Sequence, residues 1–460
     1  MKKIRYPLIN AALILMIVLA VFCGACAEEM GHDLILRGEY GAPLKLSITK
    51  PVYARLSQFG EERLESLNKL VRHLGISVCA DGNVTETAVL VDGETVYSFT
   101  ETETDSGIST VYSFEPDQLY TSVSEDVQAA DPDLTGFLSD QFFFLNRMLD
   151  DLYPMFGKLP ETYPDFSKQA SENINYRGYG KAVRRVTIRF SDDYVKEHFP
   201  GALADLAVTE ESRRFIEGLV FSGVQKIILL YDEEGHVLRI NYDGVLGQRE
   251  ESMRKVSLAW RCLRTDGQKK DNVNLKTPAV KGYDRYNMTY VRESDRSDPA
   301  RHTLTWDFQL DLKDGDTKKK VVFNADLLFE NDELSGKALY SEKADGLEKK
   351  VSLIPSLKKE NNAEYTGTLE ITKYSGKIIT SSIKAAVSAA PGPSLPMPDT
   401  ASAPLSEPGS EQAQTDAERV QQITESLLVS KLLSLPESDL EFFSKDIPED
   451  VWNAITESLK

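Results

Sequence analysis

The sequence predicts an α+β protein: a large curved antiparallel β-meander covered by a few helices, with a tethered α-helical tail at its C-terminal end. The first observation is the stretch from His302 to Glu330, where Leu304, Trp306, Phe308, Leu310 and Leu312 alternate with polar residues. After a polar turn at Asp314, Gly315 and Asp316 the alternation resumes with Val321, Phe323, Ala325, Leu327 and Phe329. A period of two places all of these side chains on one face of a hairpin. Each arm spans roughly 35 Å at the usual strand rise, so the apolar face is large and needs cover. The second observation is that turn signals recur at short intervals from Val224 to Ile383, as in a meander. The third is that apolar residues at helical spacing near 56–74 and 136–153 supply candidate covers.

In chain order, residues 1–27 read as an export signal. Lys2, Lys3 and Arg5 precede an apolar run from Leu8 to Phe22, and small residues follow. Three fates are open: cleavage after Ala25-Cys26-Ala27, lipidation at Cys26, or retention as a membrane anchor, since the run approaches the ~18–20 residues that span a bilayer. All three put the remaining chain outside the cytoplasm. Taking the three leader charges from the formal −19 leaves −22. So acidic a surface repels phosphate backbones, and nucleic acid is not an expected partner. Cys79 and Cys262 would remain, and an oxidising compartment would allow them to pair. The other reading is two small buried hydrophobes, with Cys262 in phase with Val256, Leu258 and Trp260.

Residues 28–385 carry the predicted sheet, with a division into two subdomains near 125–180 as one arrangement. Two short extended pieces, Leu34–Gly38 and Leu44–Thr49, lead into a helix whose apolar stripe runs from Leu56 to Leu74, with Gly75 as its expected stop. A meander follows, with Asp81-Gly82 and Asp92-Gly93 as its turns, because Asp-Gly tolerates the positive φ of a tight hairpin. The helix expected at 136–153 is apolar around most of its circumference and should stop at Pro154; 155–180 reads as loop. Val186, Ile188 and Phe190 mark a strand, Thr209 an N-cap, and strands continue to Ile383. Residues 386–415 are rich in Pro, Ala and Ser and read as a linker. In the tail, 416–460, a stripe from Val420 to Leu435 and another from Val451 to Leu459 predict two amphipathic helices that either dock elsewhere or pack back on the body.

No catalytic, cofactor or metal constellation can be assembled, so the chain is expected not to be an enzyme. The five histidines, at 32, 73, 198, 236 and 302, never stand at ligand spacing on one element and read as surface or turn residues. Gly178-Tyr179-Gly180-Lys181 lacks the upstream glycine and the following Ser or Thr of a phosphate loop. Asp311–Asp316 has Lys313 where a calcium loop wants an oxygen ligand. The aromatic residues say more. Phe142, Phe143 and Phe144 on the predicted helix, with Trp306, Phe308 and Phe323 on the hairpin, make either a solid core or the wall of an apolar pocket.

A leader, early helices and a long meander able to curl around them resemble the half-barrel carriers of bacterial envelopes, the lipoprotein-carrier type. The resemblance covers Leu34–Ile383, rests on element order and transfers no functional residue; it implies an apolar groove for an acyl chain or similar ligand. Two functions are expected from this reading. One is an envelope scaffold that works through protein contacts; the other is a carrier of an apolar, lipid-like ligand, with membrane attachment through the N-terminus open in both.

Overall fold

The computed structural model describes residues 44–440 apart from 57–59, 82–83, 105–106, 115–117, 124–143, 248–249, 251–252, 278–285, 299, 315–316, 345, 361–363 and 392–410. The described chain is mostly antiparallel β-strand with a few helices. It begins with β1 (Leu44–Leu56), α1 (Glu61–Val71), β2 (Leu74–Asp81), β3 (Val84–Val91), β4 (Glu94–Thr104), β5 (Gly107–Ser113) and β6 (Gln118–Val123). Then come α2 (Phe144–Thr162), β7 (Ser167–Tyr176), β8 (Gly180–Phe190), α3 (Asp192–His198), α4 (Gly201–Ala204) and α5 (Glu210–Glu217). A run of strands follows: β9 (Val220–Tyr231), β10 (Val237–Gly247), β11 (Arg254–Arg264), β12 (Gln268–Thr277), β13 (Tyr286–Asp298), β14 (Arg301–Asp314) and β15 (Thr317–Glu330). Last are β16 (Glu333–Ala344), β17 (Leu347–Lys359), β18 (Tyr365–Ser375), β19 (Ile378–Pro391) and α6 (Glu411–Leu433). Among the described residues no helix is long and apolar enough to cross a membrane.

The chain divides into two compact units. The first holds Met1–Thr135, Asp332–Ser335 and Val351–Lys460, and the second holds Gly136–Asn331 and Gly336–Lys350. Unlike a simple linear division, the chain returns to its first unit after completing most of the second.

In the second unit each strand from β7 to β15 pairs antiparallel with the next. The hairpin of β14 and β15 has the register its alternation predicts, Trp306 opposite Ala325 and Phe308 opposite Phe323. Leu304, Trp306, Phe308, Leu310, Val321, Phe323, Ala325 and Leu327 are all buried, while Asp307 and Asp326 are exposed. β7 was expected as loop. It is largely exposed and pairs antiparallel with β8, so backbone pairing makes a strand of a polar sequence that has no apolar face. Pro154 does not stop α2, which continues to Thr162 with Pro154 and Pro160 inside it. A mid-helix proline costs about 3 kcal/mol, and the buried Met155, Phe156 and Leu159 offset that by packing the turns that follow. Thr209 caps α5 as expected, in a reciprocal capping box with Ser212.

In the first unit β1 pairs with β19 on one side and β2 on the other, and the meander runs on to β6. β18 pairs with β19, so the last strands of the sheet sit beside the first. The expected helix start at Leu56 is corrected: Leu56 lies in β1 opposite Ser381, and that pairing overrides its helical phase. Gly75 belongs to β2, because the helix already ends at Val71. Asp92 and Gly93 take φ of 51° and 81°, the paired positive values for which Asp-Gly is suited. The linker begins later than expected, since β19 runs to Pro391 with Ala385, Val387 and Ala389 buried. Small residues at alternate positions make a strand that the composition disguised.

The C-terminal segment packs on the first unit. Leu432, Leu435 and Leu440 are buried in one cluster with Leu70 and Val91, and Leu74 and Val96 border it. Of the two arrangements open from sequence, the described part of the tail takes the packed one; residues 441–460, which hold the second stripe, lie outside the described residues. Burial of a leucine contributes about 1.5–3 kcal/mol. Deleting residues 411–460 should therefore lower the melting temperature of the first unit near pH 6, measured by calorimetry, and an unchanged melting curve would remove these leucines from its core.

Candidate ligand cavity

The second unit contains an apolar cavity of about 420 Å³ between α2 and the strands β9 to β13. Its helical wall follows from spacing. Leu145, Met148, Leu149, Leu152, Met155 and Phe156 line the cavity, and steps of three and four residues bring them to one face of a helix.

The opposite wall is built from rows of residues paired across the sheet. One row runs Ile240, Trp260, Val273, Tyr290, Phe308, Phe323, and none of its members is more than 2% exposed. Two residues further along each strand, the next row runs Tyr242, Leu258, Leu275, Met288, Leu310, Val321. The cavity takes Trp260 and Val273 from the first row and Tyr242, Leu258, Leu275 and Met288 from the second. Beyond them Val256, Thr277, Tyr286, Leu246 and Arg254 extend this wall, β9 adds Phe221 and Ile227, and α4 and α5 add Leu203 and Ile216.

The few polar groups of the wall are engaged within the protein. Tyr242 donates its hydroxyl to Gln225 Oε1 at 2.5 Å, and Gln225 donates in turn to the carbonyl of Ser222 at 2.7 Å. Burial pushes the Tyr242 phenol well above its usual range, so it stays neutral. The pair fits because residue 244 is glycine: a Cβ there would lie 1.9 Å from Gln225 Oε1 and 2.3 Å from the Tyr242 hydroxyl. Thr277 Oγ1 donates to the carbonyl of Tyr286 and accepts from its N–H.

One step beyond the aromatic row, on the same sheet face, stands a row of different chemistry: Cys262, Asp271, Arg292, Trp306, Ala325. Asp271 is wholly buried. It accepts from Trp260 Nε1 at 2.9 Å, Arg264 Nη2 at 2.7 Å and Arg292 Nε at 2.8 Å. Arg292 reaches on to α2, donating to Asp150 at 2.6 Å, and Lys269 donates to the same carboxylate at 3.3 Å. Tyr290 donates to Asn146, one turn earlier on α2. Burial alone would raise the Asp150 carboxyl; the charges of Arg292, Lys269 and Arg264 and the Arg292 hydrogen bond outweigh it and hold it at about 2. The helix is thus fastened by hydrogen-bonded charges beside the apolar space it helps enclose.

The expected pocket residues fall on both sides of this description. Phe142 and Phe143 lie outside the described residues, and Phe144 is the first residue of α2, its side chain likewise not among those described. Trp306, Phe308 and Phe323 do not line the cavity. They lie farther along the rows on β14 and β15, 2%, 2% and 0% exposed, and are packed core. Sequence reasoning missed the residues that do line it on β11 to β13, because β12 reads as polar. Its signal was the alternation of Asp271, Val273 and Leu275, with an acid in the first inward place.

Cys79 and Cys262 are both buried, and no disulfide joins them. Cys79 belongs to the first unit and Cys262 to the second. Cys262 donates to the carbonyl of Val237 at 3.2 Å, and burial pushes its thiol up, away from the reactive thiolate. Cys26 lies outside the described residues. Asp232, Glu234 and His236 cluster at the exposed β9–β10 turn, where Asp232 accepts from the N–H of His236 at 2.7 Å; the turn geometry accounts for that cluster.

No protein-family model matches the chain, and no curated protein matches it. Among solved structures, OmpT, an outer membrane protein of Vibrio cholerae, aligns over 76% of this chain and 95% of its own at 7% identity, with a TM-score of 0.23. OccK5 (OpdH) of Pseudomonas aeruginosa aligns over 76% and 96% at 9% identity, with a TM-score of 0.13. Superpositions this loose carry no argument about architecture or function.

The charged fastening makes two predictions. Asp271→Ala leaves Arg292 and Arg264 buried beside a lost partner and should cost about 3–5 kcal/mol, measured by denaturant unfolding. Because the Asp150 carboxyl is depressed on folding, its stabilisation is present above the ordinary carboxylate value of 3.8 and lost as pH falls through about 2. Asp150→Asn should therefore flatten the fall in stability across that window, and an acid-unfolding profile identical to that of the unsubstituted chain would contradict the assignment.

Proposed function

We propose that this chain is an extracytoplasmic binding protein that holds the apolar chain of a lipid-like ligand in its second unit, and that it is non-catalytic. The observation that carries the reading is the cavity between α2 and β9–β13. Its 420 Å³ falls in the range of about 300–1,000 Å³ usual for small-molecule sites. Its wall is almost wholly apolar, and Tyr242 and Thr277 are committed to internal partners, so recognition rests on shape and apolar contact. Met148, Met155 and Met288 in the lining suit a chain of variable length or branching, since methionine adapts its rotamers to irregular partners.

The finer architecture belongs to the same reading. The chain is an α+β protein, the strands of its second unit packed against α2, and the leader directs it to the cell envelope. The cavity favours this binding role over a scaffold with a filled core, which would act through protein contacts alone.

Native mass spectrometry of the chain purified from cells tests the reading. A co-purifying lipid-sized mass is expected; Met288→Trp should remove it by filling the cavity, while Phe323→Leu, away from the wall, should retain it. A chain that carries no such mass and fails to bind an added dansyl-labelled fatty acid would overturn the binding role and leave the scaffold role.

A further inference from the structure

We propose that the C-terminal segment ending near Leu440 is a pH-gated cover for an apolar patch on the first unit, with His73 as the pin that holds it closed. His73 Nδ1 lies 2.6 Å from Asp92 Oδ1, and its Nε2 lies 2.9 Å from Asp439 Oδ2. A neutral imidazole has one donor and one acceptor nitrogen, whereas an ionised carboxylate only accepts. Both contacts are therefore satisfied together only by the imidazolium. Losing one proton turns one of the two hydrogen bonds into a repulsion between acceptors.

The two carboxylates have different standing. Asp92 belongs to the β3–β4 turn, and its N–H donates to the carbonyl of His73 at 2.7 Å, so that contact is built into the body. Asp439 arrives from a point 366 residues away in sequence, on the short 3-10 turn Glu437–Asp439. Around it the cover consists of Leu432, Leu435 and Leu440 over Leu70 and Val91. Lys69 on α1 favours the Asp439 carboxylate, and Lys431 on α6 pairs with Glu94 on β4, a second ion pair between the cover and the body. Residues 392–410, which precede the cover in sequence, are rich in Pro, Ser and Ala.

The direction of the switch follows from linkage. Burial alone would lower the His73 value, but its bonds to Asp92 and Asp439 outweigh that and raise it above 6.5. A group raised on docking holds its stabilisation below its ordinary value and loses it as pH rises through the docked value. Asp439 is lowered, chiefly by its bond to His73, so its part fails only in acid, below the ordinary carboxylate range. The cover should accordingly be tightest in mildly acidic solution and loosen toward alkaline pH, uncovering Leu70, Leu74, Val91 and Val96.

Hydrogen exchange of the full chain near pH 6 and near pH 8, corrected for the intrinsic pH dependence of exchange, reads this directly. Protection of 420–440 should fall several-fold at the higher pH, while that of β2 to β4 stays constant. His73→Gln and Asp439→Asn should each abolish the difference between the two pH values. Leu435→Ala should lower protection at both and keep the difference. Equal protection of the unsubstituted segment at both pH values would overturn the proposal, as would an undiminished pH effect in His73→Gln. If His73→Gln disturbs β2 to β4, Asp439→Asn decides alone, because Asp439 lies outside the sheet.

Discussion

The second unit depends on one buried charge, that of Asp271. A carboxylate removed from water is tolerable only if its lone pairs are filled by well-placed donors, and Trp260, Arg264 and Arg292 fill them from the two flanking strands. Those donors fix the register of β11, β12 and β13 more tightly than the backbone ladder alone, because a one-residue slip would turn Asp271 to the opposite face. Arg292 then carries the constraint out of the sheet to Asp150, and Tyr290 adds Asn146. The position of α2 is set by polar bonds with direction and distance, which apolar packing lacks.

That division of labour explains how an apolar space persists beside a close-packed core. Interiors collapse to fill voids unless something holds their walls apart. Here the Asp150 and Asn146 contacts hold the first turns of α2 to the sheet, and Leu159 at its far end is fully buried. Between these fixed points lie Met148, Leu152 and Met155, which line the space, and the unbranched methionines adapt to an irregular wall. Gly244 contributes by subtraction, since its missing Cβ makes room for the hydrogen bond between Gln225 and Tyr242, and Tyr242 lines one side.

The large, regular features were legible in the sequence because they repeat. Alternation on the 302–330 hairpin is a signal many residues long, and its register is as expected. The Asp92-Gly93 turn and the Thr209 cap are equally local: the residue type states the backbone geometry. What escaped were features in which one residue answers to another far away. β12 reads as polar until Arg292 and Arg264 are known to surround Asp271. Pro154 reads as a stop until the packing on both sides of it is counted. The end of β19, from residue 386 on, reads as linker because Ala386, Ala389 and Ala390 are small, yet small side chains are what a crowded strand accepts. His73 looked like a surface histidine, and only the arrival of Asp439 makes it a pin. Of the cavity, the helix face was half visible, but its aromatic wall was sought on β14 and β15 when it lies on β11 to β13.

The two ends of the cavity differ, and the difference bears on how a ligand would enter. Toward the charged row the wall is formed by Trp260 and Val273, 0% and 1% exposed, with Asp271 and Arg292 just beyond. An apolar chain has no reason to pass that way, since it would have to part hydrogen-bonded charges that gain nothing from its presence. Toward the other end Leu246, Leu258 and Leu275 are only half-buried, and Arg254 stands beside them. Apolar side chains left half in water are a standing cost of about 25 cal/mol for each Å² exposed, which a ligand's chain would relieve by covering them. Under the proposed binding role, entry from this end would place the apolar part of the ligand against the aromatic row and leave its polar end near Arg254 and solvent.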